Sequence, residues 1–438
     1  MNLKIFQSDK GDCLLLEASS GELMLCDGGM GPSMRTHVRA ELGKLRDDNR
    51  ELSLVYISHI DNDHINGVLQ LIQDEASWRV FDLHSGISDH DVTMPDFPRP
   101  PVIRGLLHNG FRDLITEIDK PIDKITANSA ENLLGAMVPS LFGTAEPALM
   151  DLAAEMASIA TGVPEGIQVA RLIAADALNI PLNQPPGVDK QSRLLFAGKA
   201  GDEFQLGSMK FTLIGPTKKE LNDLRKGWLH FLRNPENKEK LKKLRAELKK
   251  RIEEFSAGSL TGSPFDLRGW EGIPDFKGVT VPNIASLMFM VEEDGKRLLL
   301  TGDCQQDFIL AGLDRTGFLN DGHLHLDVLK VQHHGSEHNM DADFAGKVSA
   351  DNYVFCGNGE HKNPDLNVIK IIFDSRANDA PANQFHFWFS TTSEMQTPGT
   401  QKRVHFQAVE KKAKELASNS NGRLVLHFNE NASISLKI

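Results

Sequence analysis

The side chains best suited to chemistry lie in one short segment, SHIDNDH at 58–64. Directly after the apolar run SLVYI, this segment places four groups that can bind metal, His59, Asp61, Asp63 and His64, within six residues. A buried strand that ends there leaves its loop free to direct several ligands to one point. Imidazole and carboxylate ligands together suit zinc, manganese or iron. A polar turn at the start of a helix would explain one aspartate, but hardly all four groups, so the segment predicts a metal site.

Three further polar side chains follow apolar strands elsewhere in the chain: Asp27 in LMLCDGG, Asp303 in LLLTGD and His361 after YVFCGN. Together with 58–64, they occur in the order seen in the metallo-β-lactamase fold superfamily, whose signature HxHxDH the segment resembles. The resemblance implies an α/β protein with a four-layer αββα fold and two divalent ions, Mn²⁺ or Zn²⁺. It also implies that Asp27 orients the ligand loop, that Asp303 bridges the two ions and that His361 is a late metal ligand.

The resemblance covers about residues 1–100 and 190–375. Details of the motifs narrow it from the superfamily to one family. Asp61 replaces the second histidine of the usual signature, and the usual third histidine is absent, with Asn283 and Ser286 of NIASL where a strand approaches the site. HxDxDH, NxxSL, TGD and LKVxHHGS together resemble the nuclease domain of the bacterial competence protein ComEC and its soluble relatives. That nuclease domain is regarded as a metal-dependent DNase. The membrane channel of the competence protein is missing from this sequence. The resemblance implies phosphodiester cleavage by a metal-bound hydroxide.

The segment LKVQHHGS supplies further candidates after a predicted strand. Neighbouring residues at the end of a strand point in opposite directions, so His333 and His334 cannot both be assigned the same role. We take His333 as a metal ligand and His334 as catalytic, although the pattern leaves open which of them binds metal. Lys330 is either an exposed strand lysine or a catalytic, substrate-binding group, and Ser336 either caps a helix or supports the site. Asp63 is expected to orient the attacking hydroxide besides binding metal.

The remaining polar candidates receive structural interpretations. Asp12 is expected to satisfy nearby backbone donors after Gly11, and His338 is expected to be solvated. Ten other histidines show no spacing typical of ligands and are interpreted as structural, His108 and His427 among them.

Composition limits the classes of protein. The chain has 438 residues, of which 40% are hydrophobic and 25% charged, which excludes a disordered or coiled-coil protein. A net charge of −12 argues against a bulk nucleic-acid coat protein. Four cysteines without a CxxC pair favour a reducing compartment. No apolar run reaches the roughly 18 residues of a membrane span, and the first residues lack the pattern of a signal peptide, so we expect a soluble cytoplasmic protein without a membrane partner.

The elements that must position these groups can be predicted from hydrophobic periodicity. A helix is predicted over 36–46, another from Asp365 and a third near 402–417. The strand predictions are MNLKIF, a hairpin turning at 19–21, SLVYISH, ASWRVFDLH, RLLFAG, FQLGSMKFTLIGP, a hairpin turning at 294–295, DVLKVQ, NYVFCGN and a final hairpin in RLVLHFNENASISLKI.

We expect one domain, 1–438, with two insertions. Residues 102–180 are predicted to be helical, and 217–280 a basic helical hairpin followed by a loop. Within the hairpin, 217–255 holds thirteen Lys or Arg and seven Asp or Glu, a net charge of +6. This strip is either a solvated face or an arm that binds phosphates. In the second case the candidate contacts are Lys240, Lys242, Lys243, Lys249 and Lys250.

The sequence therefore predicts a metal-dependent hydrolase, a phosphodiesterase acting on DNA in preference to RNA. The first alternative is a small-molecule ester, lactone or thioester hydrolase that uses the same two-metal site. The second alternative is a binding module with a structural metal. A regulatory protein or a protease acting on 217–280 would be a further partner, and DNA uptake, repair and anti-phage defence all suit such an enzyme.

Overall fold

The computed structural model describes residues 1–85, 93–110, 169–187 except 171 and 176, 194–198, 202–223, 283–377 and 383–438. These residues form two mixed β-sheets with helices, which confirms the predicted α/β class. In the described part of the chain, no helix combines the length and the apolar character that a membrane crossing requires.

The first sheet has six strands in the order β14-β1-β2-β3-β4-β5. Strands β3, β4 and β5 are parallel to one another, whereas β14, β1 and β2 are joined by antiparallel pairing. β1 therefore runs in the same direction as β3. The strands of this sheet are β1 (Asn2–Phe6), β2 (Leu14–Glu17), β3 (Leu23–Cys26), β4 (Leu54–Tyr56), β5 (Leu106–Leu107) and β14 (Ser433–Lys437).

The second sheet has eight strands in the order β13-β12-β11-β10-β9-β8-β7-β6. β9 to β13 are parallel, and β6 to β9 form an antiparallel meander. The strands are β6 (Asp202–Leu206), β7 (Met209–Gly215), β8 (Met288–Glu293), β9 (Lys296–Leu300), β10 (Leu324–Lys330), β11 (Val348–Phe355), β12 (Phe385–Phe389) and β13 (Leu424–Phe428).

Helices follow several of the parallel strands. The α-helices in the described residues are α1 (Gly31–Ser33), α2 (Arg39–Asp47), α3 (Asn62–His84), α4 (Gln306–Arg315), α5 (Ala342–Lys347), α6 (Leu366–Ala377) and α7 (Gln401–Ser418). The short turn α1 leads through a π-helical segment, Met34–Val38, into α2.

Three apolar cores fix the order of the layers. The central core joins inward side chains of both sheets, such as Leu16 and Phe289, so the sheets pack face to face. A second core packs α4 to α7 on the second sheet, and a third packs α2 and α3 on the first. The metal-binding candidates follow strand ends that this packing brings to one edge.

Two strand predictions are wrong. ASWRVFDLH lies within α3, because no Gly or Pro interrupts the chain between Val68 and Ser85 to end the helix. RLLFAG is irregular over 194–198, where Leu195 exchanges hydrogen bonds with the Asn109 side chain rather than with a strand.

The predicted final hairpin is also wrong. β13 is parallel to β12 in the second sheet, whereas β14 is antiparallel to β1 in the first. Between them, the amide of Asn429 donates to the Ile5 carbonyl at 3.5 Å and to the Ser390 carbonyl at 3.1 Å. This side chain joins the two sheets where the chain crosses from one to the other.

Most of the two predicted insertions lies outside the described residues. Within 102–180, residues 106–107 form strand β5 instead of helix, and 111–168 are not described. Within 217–280, only the short helical turn up to 223 is described.

Candidate metal centre

The candidate ligands follow parallel strands of both sheets. Asp27 follows β3, His59 follows β4, Asp303 follows β9 and His334 follows β10. Carboxyl ends of parallel strands lie at one edge of a sheet, and the face-to-face packing brings both edges together. All four side chains are buried.

His64, in the first turn of α3, is oriented by Asp27. Its Nδ1 lies 2.9 Å from Asp27 Oδ2, while the Ser58 backbone N–H and hydroxyl each donate to Asp27 at 2.7 Å. Since the carboxylate can only accept, the proton of His64 is on Nδ1. The Nε2 atom therefore faces inward, 3.3 Å from Asp303 Oδ2.

His59 is oriented by the same hydroxyl. Its Nδ1 lies 3.0 Å from Ser58 Oγ, whose hydrogen is already donated to Asp27. The hydroxyl oxygen thus accepts from Nδ1, and the Nε2 lone pair is directed inward, 3.8 Å from Asp303 Oδ2.

The second sheet contributes two histidines in the same manner. His334 Nδ1 lies 3.0 Å from Asp12 Oδ1, and His333 Nδ1 lies 2.7 Å from Asn339 Oδ1. Their Nε2 atoms lie 3.2 and 3.7 Å from Asp303 Oδ2. The expectation that these neighbours diverge is wrong, because they form a left-handed turn, with φ of 47° and 56°, and not a strand end.

The Nε2 atoms of His59, His64 and His334 and Oδ1 of Asp303 are buried without a hydrogen-bond partner in the described part of the chain. Leaving such an atom unsatisfied costs about 1–3 kcal/mol. A cation between these atoms would satisfy them together, and three neutral imidazoles with a carboxylate form a donor set suited to zinc or manganese. The residues present therefore fit a divalent metal ion.

Four buried residues, Asp12, His64, Asp303 and His334, each offer one ligand atom within 4.8 Å of the others. Together they could hold a metal ion. We do not count Asp12 among the ligands, because its oxygens already bind His334 and the ammonium of Lys330. We assign it to orienting His334, as Asp27 orients His64.

Asp61 and Asp63 flank the buried atoms on the more exposed side, with side chains that are 29% and 19% exposed. Asp61 Oδ2 lies 3.5 Å from His59 Nε2, and Asp63 Oδ2 lies 3.4 Å from His334 Nε2. The donors thus divide into two groups, one around His59 and one around His334, with Asp303 between them.

Lys330 is fully enclosed. Its ammonium binds Asp12, donates to the Gly302 carbonyl at 3.0 Å and lies 3.7 Å from Asp303 Oδ1. Burial opposes its charge, but the two carboxylates outweigh this and raise the pKa of Lys330 above its usual value. The expected direct contact of Lys330 with substrate is not supported, because the side chain is 2% exposed.

Glycine allows the loop of Asp12 to approach α3. A Cβ on Gly11 would lie 1.6 Å from the Asp63 carbonyl oxygen, so no larger residue is accommodated there. The contact holds Asp12 against the first turn of the helix that carries Asp63 and His64.

The charged groups of the centre shift the pKa values of one another. Burial opposes protonation of His64 and His334, yet Asp303 with Asp27 or Asp12 raises the pKa of each imidazole well above its usual value. Burial also opposes ionisation of Asp303 and Asp63, but the neighbouring imidazoles hold both pKa values below the usual range. A proton and a metal ion therefore compete for the inward nitrogens of these histidines.

The predicted supporting residues have mixed outcomes. Ser286 Oγ accepts from the Asp303 backbone N–H at 3.4 Å, which places it beside the centre. Asn283 begins a 3₁₀ turn three residues earlier. Ser336 is buried and accepts from the His338 backbone N–H at 3.4 Å, which is a local turn contact.

The structure does not bring His361 to the centre. Its side chain is 72% exposed in a left-handed turn, and its Nε2 lies 3.8 Å from Glu360. The expectation that His361 is a late metal ligand is therefore wrong in this structure. The five lysines proposed for substrate binding, at 240–250, lie outside the described residues.

Sequence reasoning missed the role of Asp12. The available signal was its place after β1, which runs parallel to β3, together with a lysine at the end of β10. Asp12 and Lys330 were interpreted separately. Only their ion pair, between residues 318 positions apart, shows that Asp12 orients His334.

No protein-family model matches the chain, and a comparison with curated proteins returns no match. The assignment of function therefore depends on the geometry of the centre.

Proposed function

We propose that this chain is a metal-dependent phosphodiesterase that cleaves DNA, on a fold of the metallo-β-lactamase type. The observation that supports this most directly is the set of three buried, unpartnered Nε2 atoms around Asp303. Each imidazole is fixed through its other nitrogen, so the set is organised before any ligand binds.

Two ions, Mn²⁺ or Zn²⁺, suit the donors. His59, Asp61 and Asp303 would hold one ion, and Asp63, His64, His334 and Asp303 the other, with His333 within reach of the same carboxylate. When bound, the ions supply Lewis acidity at an anionic substrate.

Charge supports an anionic substrate. Asp12 and Lys330 neutralise each other, so the carboxylates that face the inward nitrogens are those of Asp61, Asp63 and Asp303. Two divalent ions beside these carboxylates would present positive, Lewis-acidic contacts to the oxygens of a substrate, which favours an anionic phosphodiester over a neutral ester or lactone.

The side chains have distinct tasks. Asp63 stays ionised because its pKa is lowered, and it is partly exposed, so it can accept a hydrogen bond from an attacking water and orient it. Lys330 and Asp12 are positioning residues that fix His334. Asp27 and Ser58 fix His59 and His64 in the same way.

The test is a substrate panel. Purified protein with Mn²⁺ or Zn²⁺ would be incubated with bis(p-nitrophenyl) phosphate, plasmid, single-stranded DNA, RNA and a chromogenic lactone. We expect cleavage of the phosphodiesters and not of the lactone, and close to two ions per chain by elemental analysis. Cleavage of the lactone alone would indicate the small-molecule hydrolase, and bound metal with no hydrolysis would indicate a binding module.

A further inference from the structure

A small cavity between the loops that follow β1 and β12 plays no part in the arrangement described above. Its volume is about 200 Å³, and its walls include Gln7, Thr36, Met395, Gln396 and Lys402. Pockets that hold drug-sized ligands have roughly 300–1,000 Å³, so this one suits a single ring-sized group.

The cavity lies at the same edge of the sheets as the centre. Gln7 follows β1, which runs parallel to β3, and Gln396 follows β12, which runs parallel to β10. Asp9, another wall residue, precedes Asp12 by three positions, so their Cα atoms are at most about 11 Å apart. That distance is about three stacked base steps of 3.4 Å.

The walls are held in place by the protein. Gln7 Nε2 donates to the Asn429 carbonyl at 3.0 Å, and Gln396 Nε2 donates to Thr391 Oγ1 at 2.9 Å. Within the described ranges, the amide oxygens of both glutamines accept no hydrogen bond, so each offers the cavity an acceptor. The Lys402 ammonium lies at the rim, 3.4 Å from Asp9 Oδ1.

These groups match one chemical class. Met395 is 43% exposed, and its polarisable thioether packs well on aromatic rings. Amide oxygens accept from the amino groups at the edge of a base, and a lysine ammonium binds phosphate. We propose that the cavity is a subsite for a nucleoside unit within about three base steps of the scissile phosphodiester, a proposal that rests on the proposed function.

A larger cavity lies at the opposite edge, where β10 and β11 begin, and has about 410 Å³. Because that edge is opposite the metal centre, a ligand bound there would lie away from the inward-facing nitrogens.

The first experiment fills the cavity. Thr36 is exposed, so Thr36→Trp is expected to fold, and Val404→Trp is the control, on α7 at a 56% exposed position outside the cavity. The substrates are a ten-nucleotide DNA and bis(p-nitrophenyl) phosphate, which has no flanking nucleoside. Thr36→Trp should raise KM for the oligonucleotide about 5- to 150-fold, the factor expected for one stacked base, with kcat nearly unchanged. Hydrolysis of the small substrate should equal that of the parent.

The second experiment removes the cation. Lys402→Ala should raise KM for the oligonucleotide and reduce the log–log slope of its salt dependence by up to about 0.7. Lys411→Ala, at an exposed position of the same helix, should change neither.

If both variants treat the oligonucleotide as the parent does, the subsite proposal is overturned and the phosphodiesterase is unaffected. If the parent cleaves neither substrate, the proposed function fails. Binding of a fluorescent oligonucleotide then tests the cavity alone, and equal Kd for parent and Thr36→Trp would overturn the subsite.

Discussion

Two histidines of the centre are oriented by the same device with different electrostatics. His64 is held by Asp27, whose remaining bonds come from the neutral Ser58 hydroxyl and backbone N–H. His334 is held by Asp12, whose other oxygen binds the Lys330 ammonium. The first arrangement is contained within one sheet, whereas the second joins the two sheets.

This difference separates two kinds of support. Losing Asp27 would leave the neutral donors of Ser58 unpaired, and His64 would keep Asp303 at 3.3 Å, so the cost is modest. Losing Asp12 would leave a buried ammonium without its partner, which is far more costly. On the first sheet, the residue that orients the histidine contributes little to stability. On the second sheet, the ion pair that orients the histidine also holds the two sheets together.

The largest loss of metal binding is expected at Asp303, which lies between the histidines of the two sheets. Asp303→Asn removes the carboxylate that lies within 3.8 Å of four imidazole Nε2 atoms. We expect loss of bound metal and of phosphodiester cleavage by more than the roughly 100-fold typical of supporting residues. Asp314→Asn, at an exposed position of α4, is the matched control. Parent-like metal content in Asp303→Asn would contradict the assignment of the centre.

The second prediction concerns the Asp12 side. Asp12→Asn should lower the free energy of unfolding by about 3–5 kcal/mol, because Lys330 loses its buried partner. Denaturant titration of the metal-free protein measures this. The double variant Asp12→Asn with Lys330→Met should recover most of the loss. If the double variant were no more stable than Asp12→Asn, the ion pair would not be the cause.

On the Asp27 side the expected effect is smaller. Asp27→Asn should weaken metal affinity about 10- to 100-fold by releasing His64, with less loss of stability than Asp12→Asn. Competition with a metal-binding dye measures the affinity. Equal destabilisation by the two substitutions would remove the distinction between the two sides.

The smallest expected effect is a pH dependence. The folded-state pKa values of His64 and His334 are raised, so their contribution to stability is complete below about pH 6.5 and is lost as the pH rises through the folded values. Metal replaces these protons, and the carboxylates stay ionised throughout. The gain in Tm on adding Mn²⁺ should therefore grow by a few degrees from pH 6 to 8.5. A gain that shrinks over this range would contradict it.

Local patterns predicted most strands, because alternation and apolar runs report the burial of each face directly. They failed for ASWRVFDLH, where helix continuity decides, and for β13 and β14, which the sequence places together and the structure places in different sheets. Pairing between residues far apart, such as Asn2 with Lys437, leaves no local signal.

The same limit applies to the centre. His59 and His64 were predicted from their positions after an apolar strand and Asp303 from the resemblance, and the structure brings the three together. His334 was expected to be catalytic, whereas its Nε2 faces Asp303 beside that of His333. This arrangement and the role of Asp12 depend on a left-handed turn and on contact between sheets, which spacing cannot express. His361 was expected from the resemblance alone, and its exposed turn leaves it outside the centre.

The pairing of β1 with β14 has a consequence for the order of folding. During synthesis, β1 leaves the ribosome more than four hundred residues before its partner, and contacts of such separation form late. The loop that begins at the end of β1 carries Asp12, so the bridge from Asp12 to His334 is completed among the last events. A nascent chain would then lack a complete centre until β14 has docked on β1, a delay that hydrogen exchange of the β1 amides during refolding would reveal.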